Sequence, residues 1–196
     1  MMKPSQILAE LAESPPLRLG SLPKTFGMYA LWDHSGAIRY IGCTPKATEG
    51  FDVRVGNKHV TGSEGRSHKF SHAYCVGRMW RFQDHLHPTI CGSEQVESDA
   101  KLAKRLRTLF IREYCRVTLV EVPRIPERDY FGYLTGLEFD TKSLAPNDMK
   151  LWDGNKFIVG AEPTDLVEEL LLRHPELREP CERQASIYRR YVLSPG

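Results

Sequence analysis

The sequence predicts an α+β fold in which a small antiparallel sheet is covered by helices. Two short apolar runs joined by a tight turn occupy residues 27–42 and are typical of a β-hairpin. Residues 99–116 have the clearest helical periodicity in the chain, and residues 117–123 have the composition of a third, mostly buried strand. Strands interspersed with helices in this order favour a sheet with helices packed against it.

Composition and charge are those of an ordinary globular protein. The 196 residues are 41% hydrophobic and 27% charged, and the net charge of +2 does not by itself predict a nucleic-acid partner. No apolar run approaches the roughly 18–20 residues that span a bilayer, and the N-terminal stretch lacks the apolar core of a signal peptide. The five cysteines include no C-x-x-C pair, which favours reduced thiols and a cytoplasmic location without membrane contact.

The first half of the chain is predicted to begin with a helix and to continue into the hairpin. Residues 5–13 place Ile7, Leu8 and Leu11 on one helical face, and "SPP" directly after them ends the helix. The strands "GMYALWD" and "AIRYIG" are joined by the turn residues "HSG". The following segment is expected to begin as a short helix or turn and to continue as a glycine-rich loop.

The second half is predicted to contain helices before and after one strand. Asp99 is the expected N-cap of the helix over 99–116. A further helix is expected to carry Glu138, although Gly132 and Gly136 disfavour helix there. A loop and then one or two C-terminal helices complete the predicted order of elements.

The hairpin carries a pair of short motifs. "GMY" at 27–29 and "YIG" at 40–42 lie on its two strands, with ten residues between the tyrosines. Together with an arginine (Arg54), a histidine (His59) and a glutamate (Glu138) further along, they resemble the signature of the GIY-YIG nucleases, with methionine in place of isoleucine. The simpler alternative to this resemblance is that Tyr29 and Tyr40 are ordinary half-buried aromatic residues of the strands.

The resemblance covers residues 24–155 and implies a fold and an activity. The implied fold is a three-stranded antiparallel sheet flanked by helices, preceded by an N-terminal helical extension over 1–23. Residues 156–196 are expected to form a C-terminal helical segment packed on the same domain. The implied activity is metal-dependent endonuclease cleavage of DNA phosphodiester bonds, and the chain length favours a compact stand-alone enzyme of restriction or mobile-element type.

The resemblance also implies roles for the site residues. Tyr29 and Tyr40 would face one reaction centre and activate water, while the adjacent glycines would let a substrate backbone approach closely. Arg54 would stabilise charge on the phosphate, and His59 is a rival general base. Glu138 would hold one Mg²⁺ or Mn²⁺ per active site. A phenol at its ordinary pKa is a poor base, so nearby positive charge is expected to lower the tyrosine pKa.

Several of these assignments have competitors. Arg66 is an alternative catalytic arginine, and Glu113 is an alternative metal ligand. The family often spaces its arginine and histidine one helical turn apart, whereas Arg54 and His59 are five residues apart. Two asparagines and a group of histidines and cysteines remain unassigned; the latter match no standard zinc spacing. They are Asn147, Asn155, His68, His72, Cys75, His85, His87 and Cys91.

A basic stretch interleaved with aromatic residues predicts where DNA would bind. Basic side chains suit phosphate groups, and the rings suit bases or sugars. The predicted contacts are Lys58, Arg66, Lys69, Arg78 and Arg81, among Phe70, Tyr74 and Trp80. The helix over 99–116 adds Lys101, Lys104, Arg105 and Arg107, for which a solvated basic face is the commoner explanation.

Two further expectations concern partners and alternatives. Two active sites would suit the cutting of both strands of a duplex, so a homodimer is left open. The main alternative function is a nucleic-acid-binding module that keeps the same fold without cleaving, and a chance match in the hairpin is a third reading.

Overall fold

The protein is described here by a computed structural model that covers residues 2–46, 48–62, 69–84, 90, 92–123, 125, 127–152 and 160–194. Within these residues the chain forms seven α-helices and four β-strands. In chain order they are α1 (Pro4–Glu13), β1 (Leu17–Arg18), β2 (Gly27–Trp32), β3 (Ile38–Cys43), α2 (Phe51–Val53), α3 (Lys69–Ala73), α4 (Glu94–Tyr114), β4 (Arg116–Glu121), α5 (Glu127–Ser143), α6 (Thr164–Arg173) and α7 (Arg178–Tyr188).

Shorter helical segments accompany these elements. Two π-helical segments, Arg54–His59 and Arg189–Leu193, continue α2 and α7, and two 3₁₀ turns cover Gly77–Met79 and Pro175–Leu177. No helix in the described ranges is both long and apolar enough to cross a membrane. The chain divides into two units, the first built from residues 1–70 and 111–156 and the second from residues 71–110 and 157–196.

The first unit contains an antiparallel sheet with the strand order β1-β4-β2-β3. The predicted α+β class is therefore confirmed, and the hairpin and the third predicted strand are both present. The sheet has four strands and not the three that were expected. The added strand β1 consists of two exposed residues that pair with the start of β4, and two residues are too few to leave an alternating pattern in the sequence.

The register of the hairpin places both tyrosines on the same face of the sheet. Tyr29 lies opposite Gly42, and Leu31 lies opposite Tyr40. Side chains at directly opposed positions, and at positions two apart on one strand, point to the same side. Tyr29 and Tyr40 therefore share a face, as the resemblance implied.

The other face of the sheet forms a hydrophobic core cluster of this unit. Strand residues such as Met28, Ala30 and Ile41 pack there against α1 and α5. Ile7 and Leu11 of α1 are fully buried, and Leu8 is half-buried against the same cluster, which agrees with the predicted amphipathic helix. This core holds α5, and with it Glu138, against the hairpin.

The turn of the hairpin is stabilised by one aspartate. Asp33 Oδ1 accepts hydrogen bonds from the backbone N–H groups of Ser35 and Ala37 and from the Ser35 hydroxyl, and Oδ2 accepts one from Arg39 Nε at 2.6 Å. Gly36 has φ +80°, which glycine adopts at little cost. The turn therefore includes Asp33 in addition to the predicted "HSG".

The second unit is helical, and its long helix α4 begins earlier than predicted. The helix starts at Glu94, where Ser93 Oγ accepts a hydrogen bond from Val96 N–H at 3.3 Å. The prediction that Asp99 is the N-cap is wrong, because its buried carboxylate lies within the helix and accepts hydrogen bonds from Arg183 and Gln95. An apolar cluster that includes Trp80, Phe82 and Tyr188 fills the core of this unit.

Candidate active site

The two hairpin tyrosines lie side by side in a buried position. Their rings are stacked with centroids 6.1 Å apart, and Tyr29 has no solvent exposure. Burial, followed by the neighbouring Tyr40 phenol, raises the pKa of Tyr29 well above its ordinary value; burial and the Glu138 carboxylate raise the pKa of Tyr40. The expected lowering of the tyrosine pKa is therefore not found in the protein alone, and both phenols are protonated at neutral pH.

The glycines next to the tyrosines make room for protein atoms. A Cβ atom at Gly42 would lie 2.5 Å from the Tyr29 hydroxyl and 2.7 Å from Tyr40 Cε1. At Gly27, where φ is +152°, a Cβ would lie 2.1 Å from the Val120 carbonyl oxygen. The two glycines are thus required by the packing of the tyrosines and of the neighbouring strand. This is a different reason from the substrate approach that we expected.

A change in helical pitch brings Arg54 and His59 to the same side of their helix. In an α-helix a separation of five residues is about 1.4 turns, which would point the two side chains in different directions. The segment Arg54–His59 is instead π-helical, and its wider turns bring residues five apart closer to one side than an α-helix does. The unusual spacing is therefore compensated by the local geometry, and π-helical turns of this kind are frequent at functional sites.

His59 is hydrogen-bonded to the first tyrosine. Its Nε2 atom lies 2.7 Å from the Tyr29 hydroxyl, and its ring centroid lies 5.0 Å from that of Tyr40. In the tautomer that is protonated on Nδ1, Nε2 accepts this hydrogen bond from the protonated Tyr29 phenol. The buried imidazole is the natural acceptor for the Tyr29 proton.

Arg54 supplies the positive charge of the site. Burial alone would lower its pKa, but the neighbouring Tyr29 and Tyr40 phenols outweigh burial and raise it. The buried Nε atom has no hydrogen-bond partner in the part of the chain that the structure describes. The planar fork of a guanidinium suits a phosphate.

Glu138 reaches the same place from α5. Its carboxylate influences the pKa of both tyrosines, and it lies beside the buried Cys43 thiol. Burial, then Glu138, raises the pKa of Cys43, so the sulfur stays a neutral thiol. Lys142, one turn further along α5, places Nζ 2.7 Å from Glu138 Oε1 and 5.1 Å from the centre of the Tyr40 ring.

The donor set fits a hard divalent cation held by one carboxylate. Glu138 is 22% exposed, and Mg²⁺ typically keeps several waters while taking only one or two protein carboxylates. The described ranges contain no group of three or more His, Cys, Asp or Glu side chains that could enclose a metal. A cation on Glu138 would share the carboxylate with Lys142 or displace its ammonium group.

The alternatives fall in different places. Glu113 lies on α4, where its backbone carbonyl accepts a hydrogen bond from Arg116, while Glu138 is the carboxylate next to both tyrosines. Asn147 is exposed in the loop after α5. Arg66 and Asn155 lie outside the described residues, as do four of the histidines and cysteines considered for zinc, which are His68, His85, His87 and Cys91.

The predicted DNA contacts that the structure describes belong to both units of the chain. Lys58 is half-buried and paired with Glu49 at 2.7 Å, and Lys69 begins α3. In the second unit, Arg78 has only 8% of its side chain exposed and is paired with Glu162, Glu168 and Glu182. This arrangement makes Arg78 a structural residue and leaves little of it for a phosphate. Arg81 lies near Lys104 and Arg107, a grouping considered below.

Two residues of the site were missed in the sequence. Lys142 could have been found from its spacing, because four residues after Glu138 on a helix places both on one face. Cys43 directly follows the "YIG" motif, but no local pattern predicts that α5 brings a carboxylate to it. Both positions depend on how α5 packs across the hairpin.

The protein was compared with known families, curated proteins and solved structures. No family model matches the chain, and neither the curated proteins nor the solved structures contain a significant match.

Proposed function

We propose that the protein is a metal-dependent DNA endonuclease with a GIY-YIG-like fold and active site. The observation that carries the proposal is the convergence, within the first unit, of Tyr29, Tyr40, Arg54, His59 and Glu138. These residues come from two strands and two helices, and they supply a proton acceptor, a fixed positive charge and a hard oxygen ligand. Hydrolysis of a phosphodiester requires these three functions.

Tyr29 and His59 act together on the attacking water. A protonated phenol cannot take a proton from water unless it loses its own, and the hydrogen bond to His59 Nε2 provides the path. As the Tyr29 oxygen accepts a proton from water, its phenolic proton moves to the imidazole. The hydroxide then attacks phosphorus, and the proton count is balanced by an imidazolium at His59. Tyr40 orients the water from the adjacent position.

Arg54 binds the phosphate and stabilises the charge that develops on it. Its guanidinium lies beside both phenols, where it can donate to a nonbridging oxygen as the water attacks. The same charge favours the more anionic state of a neighbouring phenol. Arg54 therefore aids both the nucleophile and the transition state.

Glu138 is the residue that would hold Mg²⁺ or Mn²⁺. When bound, such an ion polarises the phosphate and stabilises the departing 3′ oxygen. The carboxylate, on a helix that packs against the sheet, would hold such an ion next to Tyr40. Cys43 remains a protonated thiol beside the carboxylate, so the site favours hard cations over soft ones.

A plasmid-nicking assay tests the proposal. The purified protein is incubated with supercoiled DNA in EDTA, Mg²⁺ or Mn²⁺, beside Glu138→Gln and the matched variant Asp140→Asn, whose exposed carboxylate lies on the same helix. We expect cutting only with metal, loss of cutting in Glu138→Gln and no change in Asp140→Asn. Full activity of Glu138→Gln would remove Glu138 as the ligand.

A binding module without nuclease activity is the second candidate. The observation in its favour is the ion pair between Lys142 and Glu138 at 2.7 Å, which satisfies the carboxylate without a metal. This candidate predicts salt-sensitive DNA binding with no strand breaks in Mg²⁺ or Mn²⁺ on supercoiled, branched or single-stranded DNA.

A further inference from the structure

The second unit contains a group of basic side chains beside α4. Lys104 and Arg107 are three residues apart and lie on one face of this helix. Arg81, which follows the 3₁₀ turn at Gly77–Met79, interacts electrostatically with both. His72 on α3 is close to Arg107 as well. We call these four residues, His72, Arg81, Lys104 and Arg107, the basic cluster.

Arg107 is the buried base of the basic cluster. It is only 3% exposed, so the solvated helix face that the sequence favoured does not describe this residue. Its Nε atom is buried and has no hydrogen-bond partner within the described ranges. An arginine is almost never buried unless it is paired, and a buried donor without a partner is costly. Arg107 therefore points to a missing acceptor.

The second unit also contains a buried arginine, Arg78, whose charge is paired with carboxylates. Arg78 is paired with three glutamates, and two of its N–O distances are 2.7 Å. Burial lowers the pKa of Arg78, but the hydrogen bonds to Glu162 and Glu168 outweigh this and raise it. Within the described ranges, Arg107 Nε has no hydrogen-bond partner of this kind. The two arginines thus differ in what neutralises them.

The balance of charge in the basic cluster is positive. Burial first, and then neighbouring cations, lower the pKa of both Arg81 and Lys104; burial and Arg107 lower the pKa of His72. His72, Arg81 and Lys104 make further interactions as well, but the pKa of each remains lowered. An anion placed among the cations would relieve this repulsion.

We propose that the basic cluster is a binding site for a phosphate group, with Arg107 at its base and Arg81 and Lys104 at its more exposed side. Arginine donors suit the oxygens of a phosphate, and lysine supplies a point charge. Resting on the proposed function, we infer that the phosphate belongs to a DNA backbone. The basic cluster would then anchor DNA through the second unit without contributing to the chemistry.

Measurement of DNA binding in EDTA tests whether the phosphate group bound by the basic cluster belongs to DNA. Binding of a fluorescent duplex is measured by anisotropy over a range of salt for the full chain, Arg81→Gln and Lys104→Gln, with Lys101→Gln as the matched control on the exposed side of α4. We expect a roughly tenfold loss of affinity in each cluster variant, with a salt slope smaller by about 1. The control should be unchanged. Equal affinity in all four proteins would overturn DNA as the ligand.

Thermal unfolding with inorganic phosphate tests the site without DNA. Phosphate should raise the Tm of the native protein more than it raises that of Lys104→Gln, because a bound anion stabilises the folded state. Without phosphate, Lys104→Gln should have a higher Tm than the native protein, because it removes a repulsion. A purely structural lysine would lower it. Phosphate stabilisation combined with unchanged DNA affinity would support the anion site and overturn its DNA source.

Arg107 requires a conservative variant, because loss of a buried side chain can prevent folding. Arg107→Lys keeps the charge but loses the fork, and we expect it to fold and to bind DNA more weakly. No phosphate response in the native protein and no change in DNA affinity in any variant would overturn the proposal. The DNA-binding and Tm measurements are made without a divalent metal, so their results do not depend on whether the protein cleaves DNA. Conversely, a negative result in both would not contradict nicking by the protein.

Discussion

The Tyr29 hydroxyl and His59 Nε2 lie 2.7 Å apart, although 30 residues separate them in the chain. The hydrogen bond joins the "GMY" strand to the π-helical turn and gives the buried phenol a place to send its proton. Tyr29→Phe and His59→Gln should each lower the cleavage rate by roughly 10²–10⁴. The double variant should lose little more than either single one, because the pair acts as a unit.

Single-turnover cleavage rates measure this coupling, with Tm values to check folding and exposed Tyr191→Phe as the control. Additive losses would show that the two residues act independently.

Gly42 is required by ring packing, so even one methyl group should be harmful. Gly42→Ala would place Cβ within 2.7 Å of both tyrosine side chains, and we expect destabilisation of about 1–3 kcal/mol with loss of cleavage. Gly136→Ala is the control, since nothing lies within 4 Å of its added Cβ and α5 gains a better helix former. Urea unfolding of both variants measures the difference, and similar stabilities would contradict the packing argument.

Lys142 and a divalent metal would compete for Glu138. Replacing Lys142 by Gln removes the ammonium group 2.7 Å from Oε1, so the carboxylate should bind cations more tightly. We expect the Mn²⁺ concentration that gives half of the maximal Tm increase to fall severalfold. Lys150→Gln, at an exposed position in the same unit, is the control. A weaker Mn²⁺ response in Lys142→Gln would mean that the lysine supports the site.

Asp33 should make the hairpin sensitive to acid. Burial raises its pKa, but hydrogen bonds from Ser35, Ala37 and Arg39 outweigh burial, and the pKa in the folded state is lowered. Its contribution to stability is therefore complete above the unfolded pKa near 3.9 and is lost as the pH falls from there through the lower folded value.

Urea midpoints at pH 7, 5 and 3 test this behaviour. Asp33→Asn should lower the midpoint at pH 7, by the equivalent of about 2 kcal/mol, and should differ least from the native protein at pH 3. A constant difference across this range would exclude the titration of Asp33 as the cause.

Arg78 should matter for stability and not for DNA affinity. Its side chain is 8% exposed and joins three glutamates, so Arg78→Met would leave these carboxylates without their common partner. Because two of the glutamates are nearly half exposed, we expect a loss of about 2–3 kcal/mol, less than for a fully buried pair. Chemical unfolding measures it. A variant with native Tm and much weaker DNA binding would restore the original view of Arg78 as a phosphate contact.

Local patterns were sufficient for much of the fold. The hairpin follows from two short apolar strands and a polar turn, and α1 and most of α4 follow from helical periodicity, because these are properties of neighbouring residues. The candidate residues Tyr29, Tyr40, Arg54, His59 and Glu138 were also chosen from the sequence, by resemblance to a motif. Their roles stay predictions, while their proximity is a property of the structure.

Local sequence patterns therefore predicted the α+β class, the hairpin and the candidate residues. The tertiary contacts add that a π-helical turn aligns Arg54 with His59 and that Lys142 pairs with Glu138. They also show that Arg78 is paired with glutamates, whereas Arg107 Nε has no hydrogen-bond partner in the described ranges. The physical reason is that hydrogen bonding, burial and charge balance depend on residues brought together from distant parts of the chain. The start of α4 depends on the same long-range packing. The helix begins at Glu94, and the Asp99 carboxylate accepts a hydrogen bond from Arg183 instead of capping the helix.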